Sequence, residues 1–296
     1  MDSGGGQAQV VASSGLKEEE IRDGIADIAG SVRALLDRRS PSSELARFNA
    51  APPGTWMLSD PLWEVLNQAL DLADDVGGAY DPTLGALNDV WAEAATALSL
   101  TPPDDAALEA PRAVSGWGRF RLNRPAQAAV QPGGARLDFD DVVDAIACDR
   151  VLRALVDRGV EAASVRIGRN VIGRGLQADA MPWWAEIWSA GESGPRWVVA
   201  LLDLAVGVSG FGGRPPVDGA SGRPVDHDLQ GVVALDPSGL RAQAMARALH
   251  VMGPFEGPEI AAAMDIPALF IQRTPYGIVE RLSPALAAME DDAGQA

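Results

Sequence analysis

Apolar residues recur along this chain at two periods, and the switches between them lay out its elements. From Lys17 to Arg39, Ile21, Ile25, Ile28, Val32, Leu35 and Leu36 fall at helical spacing, with acids crowding the first turn where the helix dipole favours them. A second helix is predicted after Ser59, a capping side chain, with Asp60 and Pro61 in its first turn. Its apolar face is Leu62, Val65, Leu66, Ala69, Leu70, Ala73 and Val76, and Gly77-Gly78 stops it. Asp140–Asp157 reads as a third helix closed by Gly159, and small-residue helices are expected over Ala242–Met252 and Gly257–Met264. Strand-like runs fall at Gln7–Ala12, Phe120–Leu122, Ser164–Ile167, Trp197–Leu202, Leu204–Val208 and Gly231–Leu235. Ala268–Gln272 and Ile278–Arg281, joined through Pro275-Tyr276-Gly277, read as a β-hairpin. The polar, proline-containing stretch Thr101–Pro111 reads as a surface loop.

This irregular mixture of helices and strands predicts an α+β fold in preference to a doubly wound α/β sheet. Residues 1–14 are expected to form a flexible lead-in and first strand, 15–282 one domain with a subdivision near 100–135, and 283–296 an acidic tail. Of the 296 residues, 47% are hydrophobic and 22% charged, enough apolar material for a substantial core. No apolar run has the roughly 18 residues a membrane helix needs. The formal charge of −17 argues against nucleic acid and anionic membrane as partners. Met1-Asp2-Ser3-Gly4-Gly5-Gly6 has no secretory-signal features, so the expected location is cytoplasmic. A single cysteine, Cys148, excludes an internal disulfide, and its apolar helical setting predicts a small buried hydrophobe. The two histidines, His227 and His250, match no metal-ligand spacing, and Lys17 is the only lysine. Trp183, Trp184 and Trp188 are either core or a contact patch.

Several motifs add a more specific picture. The first is Ser43-Glu44-Leu45-Ala46-Arg47-Phe48-Asn49. The second is Gly78-Ala79-Tyr80-Asp81-Pro82-Thr83-Leu84-Gly85-Ala86-Leu87, followed by Trp91. In this order they are similar to S-E-L-S-x-L-N and G-x-F-D-P-T-V-G-P-L of the ApbE family, the FAD:protein FMN transferases. The resemblance runs from about residue 10 to residue 282. It implies an ApbE-like, T-fold-like architecture of mixed, largely antiparallel sheets flanked by helices. The implied reaction splits the FAD pyrophosphate and moves FMN to a threonine or serine hydroxyl of an acceptor protein, releasing AMP. On this resemblance Ser43, Asn49, Tyr80, Asp81, Thr83 and Gly85 are flavin-side candidates. The alternative, that they cap helices and shape turns, stays open.

The remaining landmarks keep their place and change their chemistry. Leu137-Asp138-Phe139-Asp140-Asp141-Val142-Val143-Asp144-Ala145 sits at the family's L-D-L-G-G-I-A-K-G, so Asp144 replaces the lysine. Ser164-Val165-Arg166-Ile167-Gly168-Arg169-Asn170-Val171 sits at A-x-V-N-x-G-G-D-I, keeping Gly168 and substituting Arg166, Arg169 and Asn170 for asparagine, glycine and aspartate. Val208-Ser209-Gly210 keeps the serine and glycine of A-T-S-G. Pro215 to Pro224 sits at H-x-x-D-P-x-T-G-x-P: Asp218, Gly222 and Pro224 remain, Ser221 offers a hydroxyl for threonine, and Pro215 replaces histidine. The segment from Ala242 to Gly253 aligns with A-D-A-L-A-T-A-L-F-V-L-G, where Gln243 replaces the magnesium aspartate, Arg247 its hydroxyl partner and His250 an aromatic.

The resemblance therefore implies Asp218, Ser221 and Asp144 as catalytic positions, and Arg166, Gly168, Arg169, Ser209, Gly210 and Gly222 as further cofactor positions. Val143, Gln243 and Arg247 are the family's metal positions. Phosphate chemistry of this kind needs a hard cation on the phosphates and a group to take the hydroxyl proton. Gln243 is uncharged, and Arg247 adds a positive charge one helical turn away. At about 4 Å and an effective dielectric near 20, a unit-charge pair is worth roughly 4 kcal/mol, so a carboxylate for a lysine beside a diphosphate is costly. Arg166, Arg169 and Arg247 are candidate metal-free partners for the diphosphate. Asp140, Asp141 and Asp144 are either ligands of a relocated cation or a solvated helix start. Two functional readings result. One is an FAD-associated protein with weak or absent magnesium binding and impaired or lost FMN transfer. The other is a partner subunit that binds no flavin.

Overall fold

The computed structural model describes residues 9–13, 18–96, 102–187, 197–212 and 214–293. In chain order the elements open with β1 (Gln9–Ser13), α1 (Glu18–Leu36), α2 (Glu44–Asn49), β2 (Gly54–Met57) and α3 (Asp60–Asp75). Next come α4 (Gly85–Thr96), α5 (Asp105–Val114), β3 (Arg121–Asn123), β4 (Ala128–Gln131), α6 (Val143–Asp157), β5 (Ala162–Ile167) and β6 (Asn170–Arg174). Then follow β7 (Trp183–Ile187), β8 (Trp197–Leu201), β9 (Leu204–Gly210), β10 (Val217–Asp218), β11 (Arg223–Pro224) and β12 (Leu229–Asp236). The chain ends with α7 (Gly239–Ala263), β13 (Ala268–Thr274), β14 (Gly277–Leu282) and α8 (Pro284–Ala293). These elements form two compact units. Unit 1 is Met1–Arg33, Val142–Arg214 and Asp226–Ala296; unit 2 is Ala34–Asp141 and Pro215–Val225.

Unit 1 is built on a seven-stranded sheet, ordered β1-β5-β6-β9-β12-β13-β14, in which every neighbouring pair is antiparallel. Helices α6 and α7 pack on it, α6 against β5 and β6, α7 against β9, β12 and β13. The approach of α7 is close enough that a Cβ on Gly207 would stand 2.1 Å from the Ala242 carbonyl oxygen, so only glycine fits there. Val206 and Val208 alternate away from that glycine and join Val171, Val233, Leu269 and Ile271 in a core capped by the β7–β8 hairpin through Trp183, Ala185 and Leu201. Trp183 is buried and donates through Nε1 to the Arg174 carbonyl at 2.8 Å, whereas Trp184 is 46% exposed. Trp188 lies outside the described residues.

Unit 2 holds α2 to α5, a three-stranded sheet ordered β2-β4-β3, and the short β10–β11 ladder. In α3, the Ser59 hydroxyl accepts from the Leu62 amide and Leu62, Leu66, Ala69 and Ala73 are buried, as the pattern predicts. Four expectations are corrected. Within the stretch read as a loop over Thr101–Pro111, of which Thr101 lies outside the described residues, α5 begins: Asp104 caps it by accepting from the Ala107 amide at 2.9 Å, and Leu108 is buried against Leu84, Leu87 and Val217. Burial of one leucine on a capped helix outweighs the polar composition. The acidic tail is α8, whose cap is Ser283: its hydroxyl donates to the Ile266 carbonyl and accepts from the Ala268 and Leu286 amides, while Leu286 packs on the unit 1 core. The third helix begins at Val143, not Asp140, because Asp138 Oδ1 takes the Asp140 amide in a turn of its own. The expected subdivision near 100–135 is not where the chain divides. Pro215–Val225 belongs with residues 34–141 because Val217 completes the Leu84–Leu87–Leu108 cluster.

Candidate functional site

In unit 1 the candidate residues gather around the start of α6, the β5–β6 turn and the body of α7. Asp144, in the first turn of α6, accepts from Arg33 Nη2 of α1 at 2.8 Å. Its other oxygen stands 2.5 Å from where a Cβ on Gly168 would lie, so the carboxylate abuts the β5–β6 turn. The negative charge in the lysine position is thus answered by an arginine 111 residues away in sequence. In the same turn Arg169 donates through Nη1 to the Gly210 carbonyl at 3.1 Å, and Arg166 is half-buried on β5.

Gln243 is buried, and both atoms of its amide are bonded. Its Oε1 accepts from Asn170 Nδ2 at 2.8 Å and from the Val208 amide at 2.9 Å, and its Nε2 donates to the Val208 carbonyl at 3.0 Å. Because Val208 offers one donor and one acceptor, the amide has only one workable orientation. Both lone pairs of the oxygen are taken, Val143 contributes no charged oxygen, and Arg247 places a cation one turn on. These residues do not fit a magnesium ion. Among the described residues no group of three or more His, Cys, Asp and Glu side chains is arranged to hold a metal.

Both histidines meet at a break in α7. Gly253 has φ 83° and ψ −172°, outside helical values, and residue 254 is proline, which has no N–H for the His250 carbonyl four residues back. His227 Nε2 supplies the missing donor at 2.8 Å, which leaves its Nδ1 to accept from the Leu229 amide at 3.3 Å. The buried His250 ring shares a hydrogen bond of 2.9 Å between Nδ1 and the Ser209 hydroxyl. Burial pushes the His250 pKa down to about 4, with the electrostatic influence of His227 and of the Arg247 guanidinium acting in the same direction and a hydrogen bond with the Leu229 backbone opposing it. His250 is a neutral imidazole tying β9 to α7. Cys148 is also buried, and burial raises its thiol pKa, which keeps it protonated.

In unit 2 the candidates serve turns and caps. The Ser43 hydroxyl donates to the Asp37 carbonyl at 2.7 Å and accepts from the Ala46 amide at 2.9 Å as the cap of α2. Asn49 makes two bonds of 2.8 Å to the Leu137 backbone, one donated and one accepted. Asp81 is buried: Oδ1 accepts from the Thr83 amide and hydroxyl, and Oδ2 from the Trp117 amide at 3.1 Å. Thr83 Oγ1 also accepts from the Gly116 amide at 2.7 Å. Gly85 donates its amide to the Arg136 carbonyl, and Tyr80 is buried. Around the β10–β11 turn, the Asp218 carboxylate accepts from the Ala220 and Ser221 amides, and the Ser221 hydroxyl accepts from the Arg223 amide. Arg112 bonds the Ala220 carbonyl, and Trp91 donates to the Gly222 carbonyl at 2.9 Å. Arg38, 7% exposed, joins Asp89, Asp138 and Asp140 in an ion network, which absorbs Asp140, one of the acids considered as relocated cation ligands.

Sequence reasoning missed the Arg33 partner of Asp144, the Arg38 network and the role of His227. No local signal marks the first two, since their partners lie about 50 to 110 residues apart. The Asn170–Gln243 contact had a signal: both positions carry an amide where the resembled motifs carry aspartate.

Comparison with known proteins agrees with this architecture. The model of the ApbE family matches residues 6–270. An FAD:protein FMN transferase from Vibrio cholerae serotype O1 is 29% identical over 254 residues, covering 81% of this chain and 76% of the relative. One from Klebsiella pneumoniae is 23% identical over 295 residues, 94% of this chain and 84% of the relative. Among solved structures, the apo form of the flavinyl transferase ApbE of Pseudomonas stutzeri superposes with a TM-score of 0.85 at 25% identity, covering 97% of this chain and 98% of that one. The Vibrio cholerae flavin transferase ApbE gives a TM-score of 0.86 at 24% identity, covering 95% and 94%.

Proposed function

Because the chain belongs to the ApbE family of flavin transferases, we propose that it is an FAD-binding protein whose transfer of FMN to an acceptor-protein hydroxyl is impaired or lost. The observation that carries this reading is that the positions of the family's reactive groups hold side chains already bonded within the fold. Asp144 is paired with Arg33, and Gln243 is bonded to Asn170 and Val208. Pro215 offers no proton acceptor where the motif has a histidine, His227 is bonded to the His250 carbonyl, and the His250 ring is bonded to the Ser209 hydroxyl of β9. A hydroxyl nucleophile without a base to take its proton reacts slowly, a loss of typically 10²–10⁴-fold. The retained landmarks around Asp81, Thr83 and Gly85 support flavin association, with Arg166 and Arg169 as the arginines nearest the β5–β6 turn.

FAD titration followed by flavin fluorescence tests the first half, and saturable binding is expected. Incubation with FAD, magnesium and a serine- or threonine-bearing acceptor protein, with AMP and covalent FMN as readouts, tests the second. Attachment at least 100-fold below a transferase with the complete motif set is expected. Robust magnesium-dependent attachment would overturn the loss of transfer, and no FAD binding would overturn the flavin assignment.

A further inference from the structure

The contact between Asn170 and Gln243 reaches beyond flavin binding. Two buried side chains, one on β6 and one on α7, meet at 2.8 Å, and both resembled motifs carry aspartate at these positions. Two carboxylates that close in a buried setting require a bridging cation or a shared proton. Two amides require neither, because one donates to the other. We infer that the Asn170–Gln243 bridge takes the place of a divalent cation in unit 1, fastening α7 to β6 and β9 without metal.

The rest of the junction is consistent with a closed, uncharged clasp. Gln243 completes its bonds on the Val208 amide and carbonyl, so the amide cannot turn to offer its oxygen elsewhere. Both side chains are more than nine-tenths buried. Arg247, one turn along the same helix, adds a charge of the wrong sign for a cation. Asn170→Asp alone would face an oxygen with an oxygen, so the two amides are matched to each other.

The test uses the full chain and a pair of shape-conserving substitutions. Wild-type protein is expected to show the same Tm in EDTA, Mg²⁺ and Mn²⁺, and no heat of binding on titration with either ion. The double variant Asn170→Asp/Gln243→Glu is expected to lose stability in EDTA and to regain it with cation, the Tm rising by roughly 5 °C or more at about a hundredfold excess over Kd. If it folds poorly, refolding in Mn²⁺ provides the same readout. One-to-one binding of Mg²⁺ by wild type that disappears in Gln243→Ala would overturn the inference. So would a double variant indifferent to cations, or one that fails to fold even with Mn²⁺. None of these outcomes depends on FAD. The inference uses the family reading only to align the two positions, so its failure and a failure of flavin binding are separately visible.

Discussion

At the scale of single residues, the decisive feature is how the polar side chains are spent. His250 is neutral and its pKa lies near 4 in the fold, against about 6.5 in an unfolded chain. The unfolded chain therefore takes up the proton first as pH falls, and stability is present above pH 6.5 and drains away towards pH 4. Between pH 7.5 and pH 5 this amounts to about 2 kcal/mol. Urea unfolding at the two pH values should show that difference, and His250→Gln should reduce it. The same residue shows where reading the sequence ran out. The sequence showed His250 standing in the place of an aromatic, but its partner Ser209 and the ring of His227 come from other elements. Likewise Asp144 was legible as a misplaced charge, while the arginine that neutralises it was not.

At the scale of elements, helix α7 concentrates the local physics. Its first amides are capped by Asp149 of α6, which accepts from the Gly239 amide at 2.7 Å, the Leu240 amide at 3.1 Å and the Ser238 hydroxyl at 3.3 Å. Asp149→Ala should cost roughly 2 kcal/mol in chemical denaturation, because it uncaps a helix in a half-buried place. At the break in the same helix, His227→Ala leaves the His250 carbonyl without its donor. Hydrogen exchange across residues 255–263 should then quicken, with the opening free energy lower by about 1–2 kcal/mol. The elements most legible beforehand were those with a full apolar period and a cap, such as α3, or a turn between two alternating runs, such as β13 and β14. Helices α5 and α8 were misread because each depends on one or two apolar contacts, Leu108 and Leu286, which periodicity does not register in so short a segment.

At the scale of the molecule, the formal charge of −17 loads both units with acids that repel one another. Raising salt from about 0.05 M to 0.5 M shortens the screening length and should raise the Tm by a few degrees in calorimetry. No helix among the described residues is long and apolar enough to cross a membrane. By itself the sequence determined the α+β class, the ordered landmarks of the ApbE family and the positions at which their chemistry is replaced. These are properties of residue type and spacing along one dimension. Only the tertiary structure decided what the replacements do: that Asp144 meets Arg33, that Gln243 closes on Asn170 and Val208, and that Pro215–Val225 leaves its chain neighbours for Leu84 and Leu87. Those outcomes are fixed by distances of about 3 Å between residues tens to over a hundred positions apart, and hydrogen bonds and charges act over such distances whatever the separation along the chain.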